Sequence, residues 1–321
     1  LLLNSMGYPA KAGAIWEQMA ASTSDLDLRR AMLGNQALTL NALGNPDGAM
    51  ALHKEEEEIC RKLGNLEGLQ RSLGNQAVIH FARGDLAKAM ALHKKEERFC
   101  RKLGDRESLQ FSLGNQANIL KAWGYLDDAM ALHKEEELIC RDLGISDSLQ
   151  RSLGNQANIL IIRGDRDGAL KLFEEQEDIC HEIGNQDGLQ VSLGNQAGIA
   201  AIRDDPDKAL RLYIEQERIC TEIRSLEGLQ GSLGNQAVIL ADRGDLEGAL
   251  ALHKREENLC RHIQNVKALA ESLCNQALIL AKQDRLVEAR HASDEAYDLA
   301  LKGPYVDLIQ YILEIKKRFG F

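Results

Sequence analysis

Leu33-Gly34-Asn35-Gln36-Ala37 returns as Leu73 to Ala77, Leu113 to Ala117, Leu153 to Ala157, Leu193 to Ala197 and Leu233 to Ala237, then as Leu273-Cys274-Asn275-Gln276-Ala277. The spacing is 40 residues throughout, and Cys60, Cys100, Cys140, Cys180, Cys220 and Cys260 keep the same step. The duplication therefore covers a whole structural unit, which is the mark of a repeat array rather than of one compact core. A chain of 321 residues with only 4% aromatics suits many small, similar contacts better than a conventional globule.

Each unit reads as two helices. In the unit from Leu66 to Gly104, Leu66, Leu69, Leu73, Ala77 and His80 fall on one face at helical spacing, and Gly84 and Asp85 then supply a stop and a new N-cap. Leu86, Ala89, Met90, His93, Phe99, Cys100 and Leu103 form the next stripe, closed by Gly104 and restarted by Asp105. Joints this short force antiparallel neighbours. Strands are not expected, because no stretch alternates with a period of two. The pattern predicts an all-α solenoid of stacked antiparallel helix pairs: a partial repeat over 1–25 with a helix from Pro9 to Ala21, seven pairs over 26–302, and a capping helix within 303–321. Tyr305, Leu308, Ile312 and Ile315 form the inner stripe of that last helix. The chain starts partway through a unit and without Met, so a piece of a longer protein is expected.

Leu233 to Leu240, followed by Gly244-Asp245-Leu246 and Ala249, resembles the tetratricopeptide repeat in the long form found in kinesin light chains. The likeness recurs in step along nearly the whole chain. It departs from the family in its 40-residue period, against the usual 34, in Gln76 where an apolar residue is usual, and in Glu96-Glu97 on the second helix. HEAT and armadillo arrays share a period near 40. Ala77 and Ala89, at the small-residue positions of the tetratricopeptide crossing, favour the latter family. Gln76 and Glu96 are expected to satisfy one another between packed helices, since each would be costly to bury alone.

The resemblance implies a right-handed superhelix whose concave face, lined by the first helix of each pair, grips a peptide or protein segment. Asn35, Asn75, Asn115, Asn155, Asn195, Asn235 and Asn275 fall where peptide-binding members present an Asn to the ligand backbone. Such amides either meet a ligand or bond neighbouring helices and set the repeat geometry. On the same helical face the units differ: four residues earlier stand Ala31, Arg71, Phe111, Arg151, Val191, Gly231 and Glu271, and three residues later Leu38, Val78, Asn118, Asn158, Gly198, Val238 and Leu278. Variation of this kind marks either subsites along a groove or drift at exposed positions. Phe111, Asn118, Asn158, Arg71 and Arg151, in the middle of the array, are the expected ligand anchors.

Other functions are disfavoured. The net charge of -10 repels a phosphate backbone, no apolar run spans a bilayer, and Leu1-Leu2-Leu3 is followed at once by Asn4 and Ser5, unlike a signal peptide. A cytoplasmic location follows as the expectation. His53, His93, His133 and His253 share a column with Phe173 and Tyr213, so packing is expected rather than metal ligation, and no cofactor is called for. The periodic cysteines are expected as buried thiols, although an approach of Cys274 to Cys260 stays open. Carboxylates such as Glu55, Glu56, Glu57 and Glu58 recur in every unit, whereas catalysis needs a unique convergent set. A non-catalytic binding scaffold is the leading expectation. Alternatives are the partner-recognition arm of a larger signalling or defence protein, or a solenoid that associates with itself.

Overall fold

The computed structural model describes the backbone of residues 9–320 and side chains from residue 15 onward. Leu1-Leu2-Leu3, Asn4 and Ser5 lie outside the described residues. All regular structure among the described residues is helical: α1 (Pro9–Ser22), α2 (Leu26–Ala42), α3 (Pro46–Leu63), α4 (Leu66–Ala82), α5 (Leu86–Leu103), α6 (Arg106–Ala122), α7 (Leu126–Leu143), α8 (Ser146–Ile162), α9 (Arg166–Ile183), α10 (Gln186–Ile202), α11 (Pro206–Ile223), α12 (Leu226–Asp242), α13 (Leu246–Ile263), α14 (Val266–Lys282), α15 (Leu286–Ala300) and α16 (Val306–Phe319). The even-numbered helices from α2 to α14 are the first helices of the pairs, and their partners are the odd-numbered helices α3 to α15. The chain forms two compact units, Leu1–Arg163 and Gly164–Phe321.

The joints follow from capping chemistry. Asn65, Asn185 and Asn265 accept a hydrogen bond from the backbone N–H three residues on, filling one of the orphan donors of a helix start. The second helix of a pair ends on a residue in the left-handed region, which Gly64, Gly104, Gly144 and Gly184 occupy without a Cβ penalty. Arg224 at φ 59° and Gln264 at φ 58° take that conformation without being glycine, and the last pair departs from it, its second helix ending on Leu301 at φ -66°.

Within each unit the core is shared between neighbouring helices. Ala77 of α4 and Ala89 of α5 are fully buried, as is every equivalent alanine from Ala37 and Ala49 onward, so the two backbones of a pair approach closely at one crossing. Leu69 and Leu73 of α4 pack on Cys60 of α3, while Ala89 and Met90 of α5 pack on Ile119 of α6. Burying such a side chain contributes about 1.5–3 kcal/mol relative to leaving it exposed. First helices also touch one another, α2 with α4 and α6 with α8 in the first unit, α10 with α12 and α12 with α14 in the second. Each unit therefore presents a run of adjacent first helices along one face. At the C-terminal end, Ile312 and Ile315 of α16 close a cluster containing Leu269, Leu273, Ala296 and Ala300.

Candidate functional site

The floor of that face is built by a column of polar residues on the second helices. His93 is buried, and its Nδ1 lies 2.8 Å from Glu96 Oε2. His133 with Glu136, His253 with Glu256 and His53 with Glu56 repeat the pair at 2.8–3.0 Å. A carboxylate can only accept, so the Nδ1–H of each ring donates to it. Where the histidine column changes, the carboxylate changes with it: Phe173 is followed by Gln176, Tyr213 by Gln216, and Ser293 by Ala296. The packing reading of the histidines holds, and each carries in addition a hydrogen bond to a buried carboxylate that the aromatic members of the column lack.

The glycine of the repeated motif makes room for this carboxylate. A Cβ on Gly74 would lie 2.1 Å from Glu96 Oε1, and one on Gly114 2.5 Å from Glu136 Oε1. The requirement is a close approach within a helix rather than an unusual φ. In the last pair, where Ala296 replaces the acid, the glycine becomes Cys274. Where the acid is an amide the glycine stays, a Cβ on Gly194 falling 2.5 Å from Gln216 Nε2, so the motif's glycine answers to the long side chain beneath it, acid or amide.

The expected Gln76–Glu96 pair is corrected. Gln76 Nε2 donates to Glu57 Oε2 at 2.8 Å, on the second helix of the preceding pair. Gln116 with Glu97, Gln156 with Glu137, Gln236 with Glu217 and Gln276 with Glu257 repeat the bond at 2.7–2.9 Å. The physical expectation that the amide and an acid satisfy each other holds, with the neighbouring unit's second glutamate as the acid. Burial raises the Glu57 carboxyl, but hydrogen bonds from Gln76 and Arg61 outweigh it and leave the group below its ordinary value.

Asn75 and its equivalents sit partly exposed above this floor, with Asn235 more open than the rest. Among the described residues, Asn195 alone of the seven uses its side chain for a hydrogen bond within the protein, to Val191 O at 3.0 Å. The others leave their amides available on the face. In the first unit Asn75, Asn115, Arg71 and Phe111 converge on one cavity of about 420 Å³, with His93 and Glu96 at its floor and Glu67 and Asp105 at its sides. Arg151 is exposed and Asn118 and Asn158 are half-buried on neighbouring turns, outside that cavity. In the second unit a cavity of about 470 Å³ takes Asn235 and Asn275 at the corresponding positions, with His253 and Glu256 below and Asp307, Leu308 and Tyr311 contributed by α16. Sequence reasoning missed the floor acids and the α16 contribution. The signal was present in the joint change of the histidine and glutamate columns.

The thiols offer no nucleophile. All seven cysteines are free and buried, Cys260 and Cys274 included. Burial, reinforced by the nearby Glu96, pushes the Cys100 thiol up to about 12, and burial with Glu256 does the same for Cys260. No group of three or more His, Cys, Asp or Glu is placed to hold a metal ion among the described residues, nor is any helix long and apolar enough to cross a membrane.

Comparison with known proteins adds the family. The tetratricopeptide repeat model matches residues 70–92 and 230–252, each from the middle of a first helix into its partner. None of the curated proteins compared matches the chain in sequence. Similar solved structures include the nearly identical tetratricopeptide-like repeats of a Podospora anserina kinesin light chain protein, at 18% identity and TM-score 0.51, covering 61% of this chain and 97% of that one. A signal transduction ATPase from Pyrococcus horikoshii with a tetratricopeptide repeat sensor matches at 13% identity and TM-score 0.65, over 94% of this chain and 48% of that one. A Rap protein complexed with Competence and Sporulation Factor matches at 14% identity and TM-score 0.64, over 99% and 94%. The family model thus matches two stretches of this chain as tetratricopeptide repeat, and the helix pairs and the small-residue crossing share the fold of these tetratricopeptide solenoids.

Proposed function

We propose that the chain is a non-catalytic binding module that holds an extended peptide or protein segment along its first-helix face. The observation that carries this reading is the set of asparagines on the first-helix face of each unit: six of seven have side chains without an internal hydrogen bond among the described residues, whereas the neighbouring glutamines of the motif are paired with glutamates. An amide supplies both a donor and an acceptor, the complement of an extended main chain, and many modest contacts along a preformed surface add to useful affinity. The varied column above it, from Arg71 through Phe111 to Glu271, would then read successive ligand side chains. The test is peptide selection from a displayed library, followed by affinity measurement with Asn75→Ala/Asn115→Ala at unchanged helicity. A fall of about tenfold or more supports the groove. Unchanged affinity would move the site to the second helices and defeat the assignment.

A regulatory version of the same reading has one supporting observation, the fold shared with the sensor of the Pyrococcus ATPase. An effector domain encoded in the same gene would favour it, and a gene ending with this array would count against it.

A further inference from the structure

The cavity at α12, α13, α14 and α16 shares most of its register with the one in the first unit, nine lining positions recurring with a shift of 160 residues, while Glu67, Asp105 and Ser108 line only the first cavity. Gln70, Gly74, Asn75, His93, Glu96 and Asn115 become Gln230, Gly234, Asn235, His253, Glu256 and Asn275. Among the positions that line both cavities, two change. Arg71 becomes Gly231, and Phe111 becomes Glu271. The second-unit cavity is therefore lined by three carboxylates, Glu256, Glu271 and Asp307, and by no lysine or arginine.

The chain itself shows what belongs beside such an acid. In the first pair of the array, Glu56 is buried, and the guanidinium of Arg71, fifteen positions along on the next first helix, reaches to 3.8 Å from its Oε1. At that position relative to Glu136 stands Arg151 and relative to Glu96 stands the uncharged Phe111, while relative to the uncharged Gln176 and Gln216 stand Val191 and Gly231. Relative to Glu256 the position holds Glu271. A carboxylate thus stands where a guanidinium is used in the first pair, and two like charges face one cavity. Lys267 approaches Glu271 at 3.4 Å from the same helix, but both side chains are half exposed, so that pair is screened by water and worth little.

A second, independent feature points the same way. His253 lines the cavity, is 1% exposed, and donates from Nδ1 to Glu256, while its Nε2 has no hydrogen-bond partner among the described residues. Gln230 Nε2 already occupies Glu256 Oε1 at 2.7 Å. The floor therefore presents an unpartnered ring nitrogen beside a carboxylate, and the wall supplied by Leu308 and Tyr311 is apolar and aromatic. Acceptors, net negative charge and an aromatic face are the complement of a planar cation with several N–H donors.

We infer that this cavity is an arginine subsite: it receives the guanidinium of an arginine in the bound segment between Glu271, Asp307 and the His253–Glu256 floor, with Tyr311 along the side-chain stem. The inference deepens the groove reading, on which the peptide part of its test rests. Its first arm needs no peptide. The full chain, with a nuclear magnetic resonance label on its tyrosine rings, is titrated with N-acetylarginine methylamide and with the uncharged citrulline analogue. Saturable movement of the Tyr311 resonance with arginine alone is expected, lost in Glu271→Gln/Asp307→Asn. Both substituted side chains are exposed, so the variant should keep its fold. Glu271→Arg, which installs the residue that the chain uses in the first pair, should also abolish it. Equal response to the two compounds, or none, overturns the subsite. The second arm compares short labelled peptides that differ only in one central arginine, lysine or citrulline. About tenfold tighter binding of the arginine peptide, erased in Glu271→Arg, is expected, and a lysine peptide that binds as tightly would replace the guanidinium with a general cation site. If all three peptides bind alike and Asn275→Ala weakens all of them, the groove stands and the arginine subsite falls. If the small compound saturates Tyr311 while no peptide binds, the subsite stands and the groove reading falls.

Discussion

Glu96 is a carboxylate taken out of water, and the way the sequence treats its column shows what keeps it there. A buried charge is tolerable only with a partner, and removing one member of such a pair typically costs about 3–5 kcal/mol. The array replaces histidine and glutamate together, by Phe173 with Gln176, Tyr213 with Gln216, or Ser293 with Ala296. His93→Phe alone should therefore lower the stability of the chain by about 3 kcal/mol, whereas His93→Phe/Glu96→Gln, which copies the natural Phe173–Gln176 pair, should recover most of it. Urea unfolding of the two single variants and the double variant reads the coupling directly. A strictly additive double would mean that the columns change together for some reason other than this contact. The neighbouring glycine belongs to the same argument, because Gly114 leaves a gap that Glu136 fills and Gly194 one that Gln216 fills, and the one unit with Cys274 in its place has only the short Ala296 to accommodate.

At the scale of the helix and its caps, much was open to reading from the residues. Gly64 and Asn65 mark a stop and a start by known backbone chemistry, and the helices begin and end where such signals stand. The small crossing residues Ala77 and Ala89 were equally plain. The partner of Gln76 was not, for a reason that belongs to repeats: Glu96 lies 20 positions ahead, Glu57 lies 19 behind, and both recur with the period, the first in four units and the second in six, so spacing alone does not say whether a contact stays within a pair or crosses to the previous one. Only packing distinguishes them. The cavity residues Asp307 and Tyr311 were illegible for a different reason, since they come from α16, which stands outside the period and shares no column with anything. The caps also yield a prediction. Arg224 and Gln264 hold the left-handed conformation that Gly64 holds elsewhere, and a side chain in that region costs roughly 1–2 kcal/mol. Arg224→Gly and Gln264→Gly should each stabilise the chain by about 1 kcal/mol despite removing a side chain, visible as a rise in thermal midpoint. A fall would show that these side chains make contacts worth more than the strain.

An array of pairs that cannot bury their own apolar faces must end somewhere, and the last exposed face is where stability is most easily lost. In the second unit α16 takes that place. Ile312 is fully buried and Ile315 nearly so, against Leu269, Leu273, Cys274 and Ala300 from the final pair. Lys316, Lys317 and Arg318 at its end suit the negative pole of the helix. Neither the first helices nor the second helices of the array could replace this cover, because their apolar sides are already committed to neighbours. Because contacts in a solenoid pass only between adjacent elements, damage to the cap should spread inward with decreasing force rather than unfold everything at once. Ile312→Ala should cost about 2–4 kcal/mol locally. Hydrogen exchange is expected to accelerate most in α14, α15 and α16, less in α12 and α13, and least in α10 and α11. Uniform acceleration across the second unit would instead mean that these helices fold as a single cooperative block, and the nearest-neighbour account of its stability would have to be abandoned. The same measurement bears on binding, because Asp307 and Tyr311 ride on α16: a cap loosened by Ile312→Ala should weaken any ligand held by that cavity even though Ile312 does not line it.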